Sequence, residues 1–540
     1  MDTIGDLYDD LIRKDTSFPD SKYFYGAIAK TYGDAVDLAF QLPRLDINEV
    51  RMEKLKTILR GFHKKLGILT PKVEEHLEMI QDGVVIAGQQ ATIFGGSGII
   101  GNKIATAVKI SDISKKKEKP LVPVFLINTH DGIQSEITTI HLMNNQSANS
   151  KAIHLSDLVE GVAANTIKTD NYNWLNENLD IIRNIFSEFK TSLEKTEYKL
   201  YSEKVEHLLT FLRETYRTSK TIEDWIALIW GIQSNIINDW GVIYIPSSNP
   251  EIRKMTAESF IPFLRNRNEY IDEFNQATNR IAELNLRPTT ARKESDYSPF
   301  FYECPNDGFR VTFSCSEDNN DVVFQGKCPL DKEEYSIKVN KDDIDLSDYA
   351  TNLSPRLDTN QAQLQTILPT YIRVSGPGEI NYNAQVIPAV RKIGINYPLY
   401  VKYNRIHYNT PWIEKISKDP SLESHTLFSS EFFKTLGVLS RARRKDEKEE
   451  LHNASNLLSE KLISKITLLK SISEEPTNPI SKYKSWQFGM YDEFHQWQEV
   501  SWPWFVMASI SGIGDYLASY YRYYSKDSLV GGIGYINTRL

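Results

Sequence analysis

Apolar positions fall into distinct textures along the chain. Between 20 and 80 they recur at three- and four-residue spacing, as in Leu55, Ile58, Leu59 and Phe62, which predicts helices, with Leu66-Gly67 as a helix end. Residues 84–87 are continuously apolar and lead into Gly88-Gln89-Gln90, a loop Gly95-Gly96-Ser97-Gly98, and a helical pattern through Ala105, Val108 and Ile110. A second apolar run at 121–127 runs into Asn128-Thr129-His130-Asp131-Gly132. Strand, loop, helix, strand is the order of a parallel α/β sheet buried on both faces. Residues 241–245, 371–375 and 398–402 are three further strand candidates, and a helical pattern fills 172–236. Open sheets of this kind bind ligands beyond the carboxyl ends of their strands, near the switch point. That singles out the loops at 88–98, 128–132 and 375–379.

Two regions break this rhythm. Between about 280 and 350, short runs such as Phe300-Phe301-Tyr302 and Val322-Val323-Phe324 alternate with turn residues, which predicts a small β-rich insertion. From 427 to 473, Leu451, Leu458, Leu462, Ile466, Leu469 and Ile472 predict a helix of roughly 65–70 Å, long enough to pair with another or to mediate association. Trp486, Trp497, Trp502 and Trp504 crowd the stretch that follows, where core packing is the simpler reading and a ligand pocket the alternative.

Composition narrows the class. A formal charge of −8 and a pI near 5.8 argue against a nucleic-acid binder. The densest apolar stretches, 225–232 and 502–513, are too short to span a bilayer, and the acidic residues 1–6 do not read as a signal peptide, so a cytoplasmic protein is expected. Cys304, Cys315 and Cys328 are too few for a disulfide framework. They have the rhythm of a zinc ribbon, with Asp307 where the second cysteine of a C-x-x-C would stand. Reduced, partly buried thiols are the expectation; zinc with an Asp or water ligand is the alternative.

The candidate chemistry sits in the loops. Gly88 lets the backbone approach a ligand, and Gln89 and Gln90 can donate and accept. Gly95, Gly96 and Ser97 precede a helix whose free N–H groups would favour an anion, with Lys103 one turn on; a plain tight turn is the bland reading. His130 beside Asp131 suits acid/base work, or is structural. Gly376 and Gly378 flank Pro377 in what reads as a sharp turn. Glu379 then starts a helix carrying Tyr382 and Gln385, and either meets a substrate amine or complements the helix end.

These pieces coincide with a family. Val84-Val85-Ile86-Ala87-Gly88-Gln89-Gln90-Ala91-Thr92-Ile93-Phe94-Gly95-Gly96 resembles the V-V-T-G-Q-Q-x-G-L-F-x-G-P signature of the bacillithiol synthase (cysteine ligase) family. Leu353-Ser354-Pro355, Leu368-Pro369-Thr370 and Gly376-Pro377-Gly378-Glu379-Ile380, with Tyr382, Ala384 and Gln385, resemble its L-S-P, L-P-T and G-P-G-E-I-x-Y-x-A-Q blocks. The resemblance is that of a divergent member: of the family's E-D-H-D element only Asp131 is kept, His130 being displaced, and Asn360-Gln361 replace an Arg-Pro.

The resemblance implies an α/β fold: a Rossmann-like parallel-sheet core with a β-rich insertion and a C-terminal coiled coil that can form a homodimer. On that basis 1–80 is an N-terminal helical part, 81–275 and 353–415 are the two parts of the core, 276–352 is the connective insertion, and 416–540 is the coiled-coil region. The family reaction joins the carboxyl of cysteine to the amine of glucosaminyl-malate, with ATP or ADP as the expected nucleotide. In that scheme Gly88, Gln89, Gln90, residues 95–98 and Lys103 hold the anionic part, Glu379 and Tyr382 orient the amine or sugar hydroxyls, and His130, Asp131 and Glu379 carry the chemistry. The competing expectations are a non-catalytic nucleotide- or metabolite-binding relative that has lost the ligase chemistry and a zinc-dependent enzyme.

Overall fold

The computed structural model describes residues 3–409 apart from 15, 17, 19, 44–46, 144–149, 192 and 319; residues 448–460 apart from 454 and 458; and residues 498–540 apart from 538 and 539. In chain order the strands are β1 (Val84–Gln90), β2 (Val122–Asn128), a hairpin of β3 (Thr139–Met143) and β4 (Ser150–His154), and β5 (Ile243–Pro246). The insertion carries β6 (Phe300–Glu303), β7 (Arg310–Thr312), β8 (Ser314–Asp318), β9 (Asp321–Lys327) and β10 (Glu334–Asn340). Then come β11 (Leu353–Pro355), β12 (Thr370–Ser375), β13 (Leu399–Lys402), β14 (Arg405–Asn409) and β15 (Ile533–Asn537).

The core is a five-stranded parallel sheet in the order β13-β12-β1-β2-β5. Side chains alternate across it. Val85, Ala87, Phe125 and Ile127 enter one hydrophobic cluster, while Val84, Ile86, Val124 and Leu126 enter another. The helix Gly98–Lys116 supplies Ile100, Ile104 and Val108 to the first layer. The helices Glu49–Lys65 and Pro71–Met79 supply Leu55, Leu59, Val73 and Leu77 to the second. Two covered faces explain why the strands read as unbroken apolar runs rather than alternating ones.

From β1 the chain moves outward through β2 to β5, then returns to the other side of β1 for β12 and β13. Its direction therefore reverses between β1 and β12, and the carboxyl ends of those strands border a crevice. Strand β1 is longer than the apolar run suggested. It pairs with β2 as far as Gln90↔Asn128, so Gly88, Gln89 and Gln90 are strand residues and not a turn.

The β-rich insertion forms two three-stranded sheets, β10-β9-β8 and β11-β6-β7, around Phe300, Phe313 and Phe324. At the other end of the chain, residues 498–540 fold back onto the core. Trp504, Phe505, Tyr516 and Tyr520 are buried in the main cluster, and β15 pairs in parallel with β14. Core packing is thus the role of Trp502 and Trp504. The long helix of 427–473, apart from a helical fragment within 448–460, lies outside the described residues, as do the coiled coil assigned to it, Trp486 and Trp497. No described helix is long and apolar enough to cross a membrane.

Candidate active site

A cleft of about 840 Å³ opens at the β1/β12 switch point. Gly88, Gln89 and Gln90 line it from β1, Asn128, His130 and Asp131 from β2, and Arg373, Glu379 and Tyr382 from β12 and the helix after it. The insertion closes the far wall with Phe301 and Arg310, beside Lys293, Tyr297, Arg356 and Asp358. The first-strand end and the Pro377 segment therefore face one concavity.

Its floor is a buried ion cluster. Lys103 Nζ donates to the Gly88 carbonyl (3.0 Å), Gln89 Oε1 (2.9 Å) and Glu379 Oε2 (2.6 Å). An ammonium has three donors, so Lys103 is fully engaged by the protein. It ties β1 to the helix Pro377–Lys392 instead of reaching a ligand. Glu379 Oε2 also accepts the Gly376 N–H (2.7 Å), and Oε1 lies 3.5 Å from Arg373 Nη2. Burial pushes the Glu379 carboxyl up, but Lys103 and Arg373 outweigh it and hold it ionised, below its ordinary value. For Glu379 the sequence leaves amine binding and helix capping as alternatives. Its cap bond is made, and its residue still borders the cleft.

The glycines act differently from expectation. Gly376 is an extended N-cap residue (φ −86°, ψ 173°) before Pro377 at the first helical turn, so this is a helix start and not a sharp turn. A Cβ on Gly378 would meet nothing within 4 Å. Gly88 matters for space: a Cβ there would come 3.1 Å from the Leu126 carbonyl and 3.4 Å from Arg373 Nη2. The loop at 95–98 does not reach the large cleft. The Gly98 N–H donates to the Trp502 carbonyl (3.1 Å) and the Trp504 N–H to the Gly96 carbonyl (3.1 Å), so the C-terminal segment covers this helix start. Gly95 (φ +84°) has Trp504 against its α-carbon, while Gly96 and Ser97 line a separate cavity of about 390 Å³ with Gln89 and Gln90.

On the β2 side, His130 is buried with Nε2 3.9 Å from Asp131 Oδ1. Burial, reinforced by Arg310 and Arg253, holds the imidazole well below its usual pKa, so it is neutral at neutral pH. Burial raises the Asp131 carboxyl, against Arg310 and a hydrogen bond from Gln90. Behind them, Thr129 Oγ1 donates to the buried Glu223 (2.5 Å) and Ser248 Oγ donates to its other oxygen (2.6 Å), fixing the loop to the end of β5.

Gln385 lies outside the cleft lining. Its Oε1 accepts from the Thr289 and Thr290 N–H groups (3.1 and 3.0 Å) and Thr290 Oγ1 (3.0 Å), and its Nε2 donates to Thr278 Oγ1 (2.8 Å) and the Thr290 carbonyl (3.1 Å). It holds the segment that begins at Thr290 and lines the cleft.

Several cleft residues went unread in the sequence. Arg373 is the clearest: one arginine inside an apolar strand run, buried, with Nη1 making no hydrogen bond to the protein. A charge in a central strand was the available signal. Arg310 and Arg356 stack on the same Phe301 ring (4.2 and 4.7 Å), and Lys293 pairs with Asp358 (2.8 Å), which also accepts from Tyr270 and Tyr297 (2.7 Å each). No local pattern marks these, because the folded insertion brings them together. Cys304 and Cys328 lie near one another, while Cys315 sits apart on β8 among apolar neighbours.

Sheet order, switch-point cleft and inserted β-module define a Rossmann-like α/β protein whose cleft carries charged side chains on both walls. Residues 21–403 match the family described as "Bacillithiol biosynthesis BshC, N-terminal Rossmann-like domain". Relatives named "Putative cysteine ligase BshC" include one from Staphylococcus epidermidis, 23% identical over 81% of this chain and 74% of its own length. Another, from Bacillus licheniformis, is 25% identical over 69% of this chain and 64% of its own. The chain belongs to the BshC family of bacillithiol biosynthesis.

Proposed function

We propose that the switch-point cleft joins the carboxyl of an amino acid, cysteine by kinship, to the amine of an amino-sugar conjugate such as glucosaminyl-malate. The observation that carries this is the charge layout of one cavity. Arg310, Arg356 and Arg373 line it with cationic donors suited to a dicarboxylate such as malate. Glu379 and Asp131 supply the negative groups that an ammonium or sugar hydroxyls need. The volume is in the range of ordinary small-molecule sites.

In this scheme the amine nitrogen attacks the activated carboxyl carbon, the C–N bond forms, and the activating group leaves with its electron pair. Asp131, its proton affinity raised by burial, takes the proton released by the amine. Neutral His130 packs beside it and does not act as the acid. Activation of the carboxylate requires a co-reactant, for which a nucleoside triphosphate is the family-based assignment.

Mass spectrometry of product formed from cysteine, glucosaminyl-malate and ATP tests the reading. Amide product that is lost in Asp131→Asn and reduced in Arg310→Ala supports it. Tight binding of the amino-sugar without product would establish the second reading, a metabolite-binding relative, which the buried, neutral His130 favours.

A further inference from the structure

The insertion contains a short repeat that the reaction does not use. Cys304-Pro305-Asn306-Asp307 and Cys328-Pro329-Leu330-Asp331 are two copies of C-P-x-D, each directly after a strand, β6 and β9. The copies share backbone form. The Gly308 N–H donates to the Cys304 carbonyl (2.8 Å) and the Lys332 N–H to the Cys328 carbonyl (3.1 Å). Each turn closes on a left-handed residue, Gly308 at φ +76° and Lys332 at φ +68°. For a lysine that conformation is uncommon, and here it repeats what glycine does in the other copy.

The two turns face each other reciprocally. Cys304 Sγ lies 3.2 Å from Asp331 Oδ2, and Cys328 Sγ lies 3.3 Å from Asp307 Oδ2. One ligand atom from each residue can be chosen so that all four lie within 4.8 Å of one another. In a tetrahedral zinc site with sulfur at about 2.3 Å and oxygen at about 2.0–2.2 Å, neighbouring ligand atoms stand roughly 3.3–3.8 Å apart. The two cross-pairs stand within a few tenths of an ångström of that separation, and the remaining edges, all within 4.8 Å, must contract onto the ion. The surroundings are also those of a ligand set. The Leu330 N–H points at Cys328 Sγ (3.4 Å), Tyr335 OH lies 3.2 Å from Cys304 Sγ, and Asn306 Nδ2 donates to Asp331 Oδ2 (2.8 Å). Among the described residues no lysine or arginine pairs with Asp307 or Asp331, so two carboxylates and two thiols converge without a counter-charge.

We propose that Cys304, Asp307, Cys328 and Asp331 bind one structural zinc ion that clasps the two turns of the insertion. The three-cysteine alternative is thereby revised: Cys315 is not a ligand, and the second position of each turn is an aspartate. Binding replaces two thiol protons, which leave to solvent, and gives a closed S₂O₂ shell with no open position. A closed shell assigns a structural and not a catalytic role. The first turn runs through Phe309 into Arg310, so the metal would set the reach of that guanidinium toward Asp131, now 3.9 Å away.

Full-length protein, stripped with a chelator and dialysed, is titrated with Zn²⁺ against a chromophoric competitor, and its metal content is measured by elemental analysis. The expected result is one zinc per chain. The Asp307→Asn/Asp331→Asn variant, which keeps both thiols, is expected to weaken binding more than about tenfold, and Cys304→Ser/Cys328→Ser to abolish it. Cys315→Ser should bind as wild type does. Cobalt in place of zinc should give the visible bands of a tetrahedral thiolate site. Wild-type protein that takes up no zinc under these conditions overturns the proposal, as does uptake that survives the double cysteine variant.

Discussion

Glu379 joins three partners at one carboxylate, and its removal should cost more than a surface pair would. Glu379→Gln leaves Lys103 and Arg373 buried with no counter-charge, a loss of about 3–5 kcal/mol by urea denaturation. Adding Lys103→Met to that variant should recover part of it, since the uncompensated ammonium is then gone. A double-mutant cycle showing no coupling would reject the cluster as a unit. Glu499 behaves oppositely. Burial, against Arg405 and the Ile406 N–H, raises its carboxyl from 4.5 to about 7. An acid that is easier to protonate when folded stabilises fully below its unfolded pKa, and that stabilisation is lost as pH rises through the folded one. Stability should therefore fall between about pH 4.5 and pH 7 by up to ~3 kcal/mol from this group alone. Glu499→Gln should flatten that slope when urea midpoints are compared with those of wild type across the same range.

At the scale of elements, the helix Pro377–Lys392 serves the cleft twice: Glu379 anchors its start, and Gln385 latches the segment from Thr289. Gln385→Ala should destabilise by about 1–3 kcal/mol, because it removes the hydrogen bonds that hold the Thr289–Thr290 segment to the helix. It should also raise KM for the amino-sugar substrate more than it lowers kcat, since the residue positions a wall and touches no reacting group. Equal losses in both parameters would contradict that role. Gly95→Ala should likewise cost about 1–3 kcal/mol, because it combines φ +84° with a Cβ 2.6 Å from Trp504 Nε1. Central strands and the helices between them were legible because hydrophobic runs and spacing are local. The boundary of β1 was not, because pairing with β2, and not apolarity, carries the strand through Gly88 and Gln90. Gly96 and Gly98 read as an anion loop for a related reason: nothing near them in sequence shows that Trp502 and Trp504 take their hydrogen-bonding groups.

Across the whole molecule, the cleft is assembled from segments as far apart as Gly88 and Tyr382. Its strand-end residues could be inferred from topology, whereas Arg310, Arg356 and Lys293 could not, since only the folded insertion sets them opposite β1. The segment 498–540 is equally non-local. Trp504 fills space beside Phe94 and Trp230, and Trp504 Nε1 donates to the Phe94 carbonyl (2.7 Å). Deleting 498–540 should therefore yield insoluble or protease-sensitive protein, as limited proteolysis would show. A soluble truncated chain with wild-type resistance would refute the packing role.

The parallel pairing of β14 with β15 carries a cost in time. A ribosome that has finished Asn409 must still translate every residue up to Ile533 before the partner strand exists, and at about 5–20 residues per second that takes several seconds. Throughout that delay the nascent chain carries an uncovered flank around Phe94 and Trp230, greasy enough to recruit holdase chaperones. Synonymous codons that slow or hasten this stretch should change the yield of intact protein without altering a single amino acid.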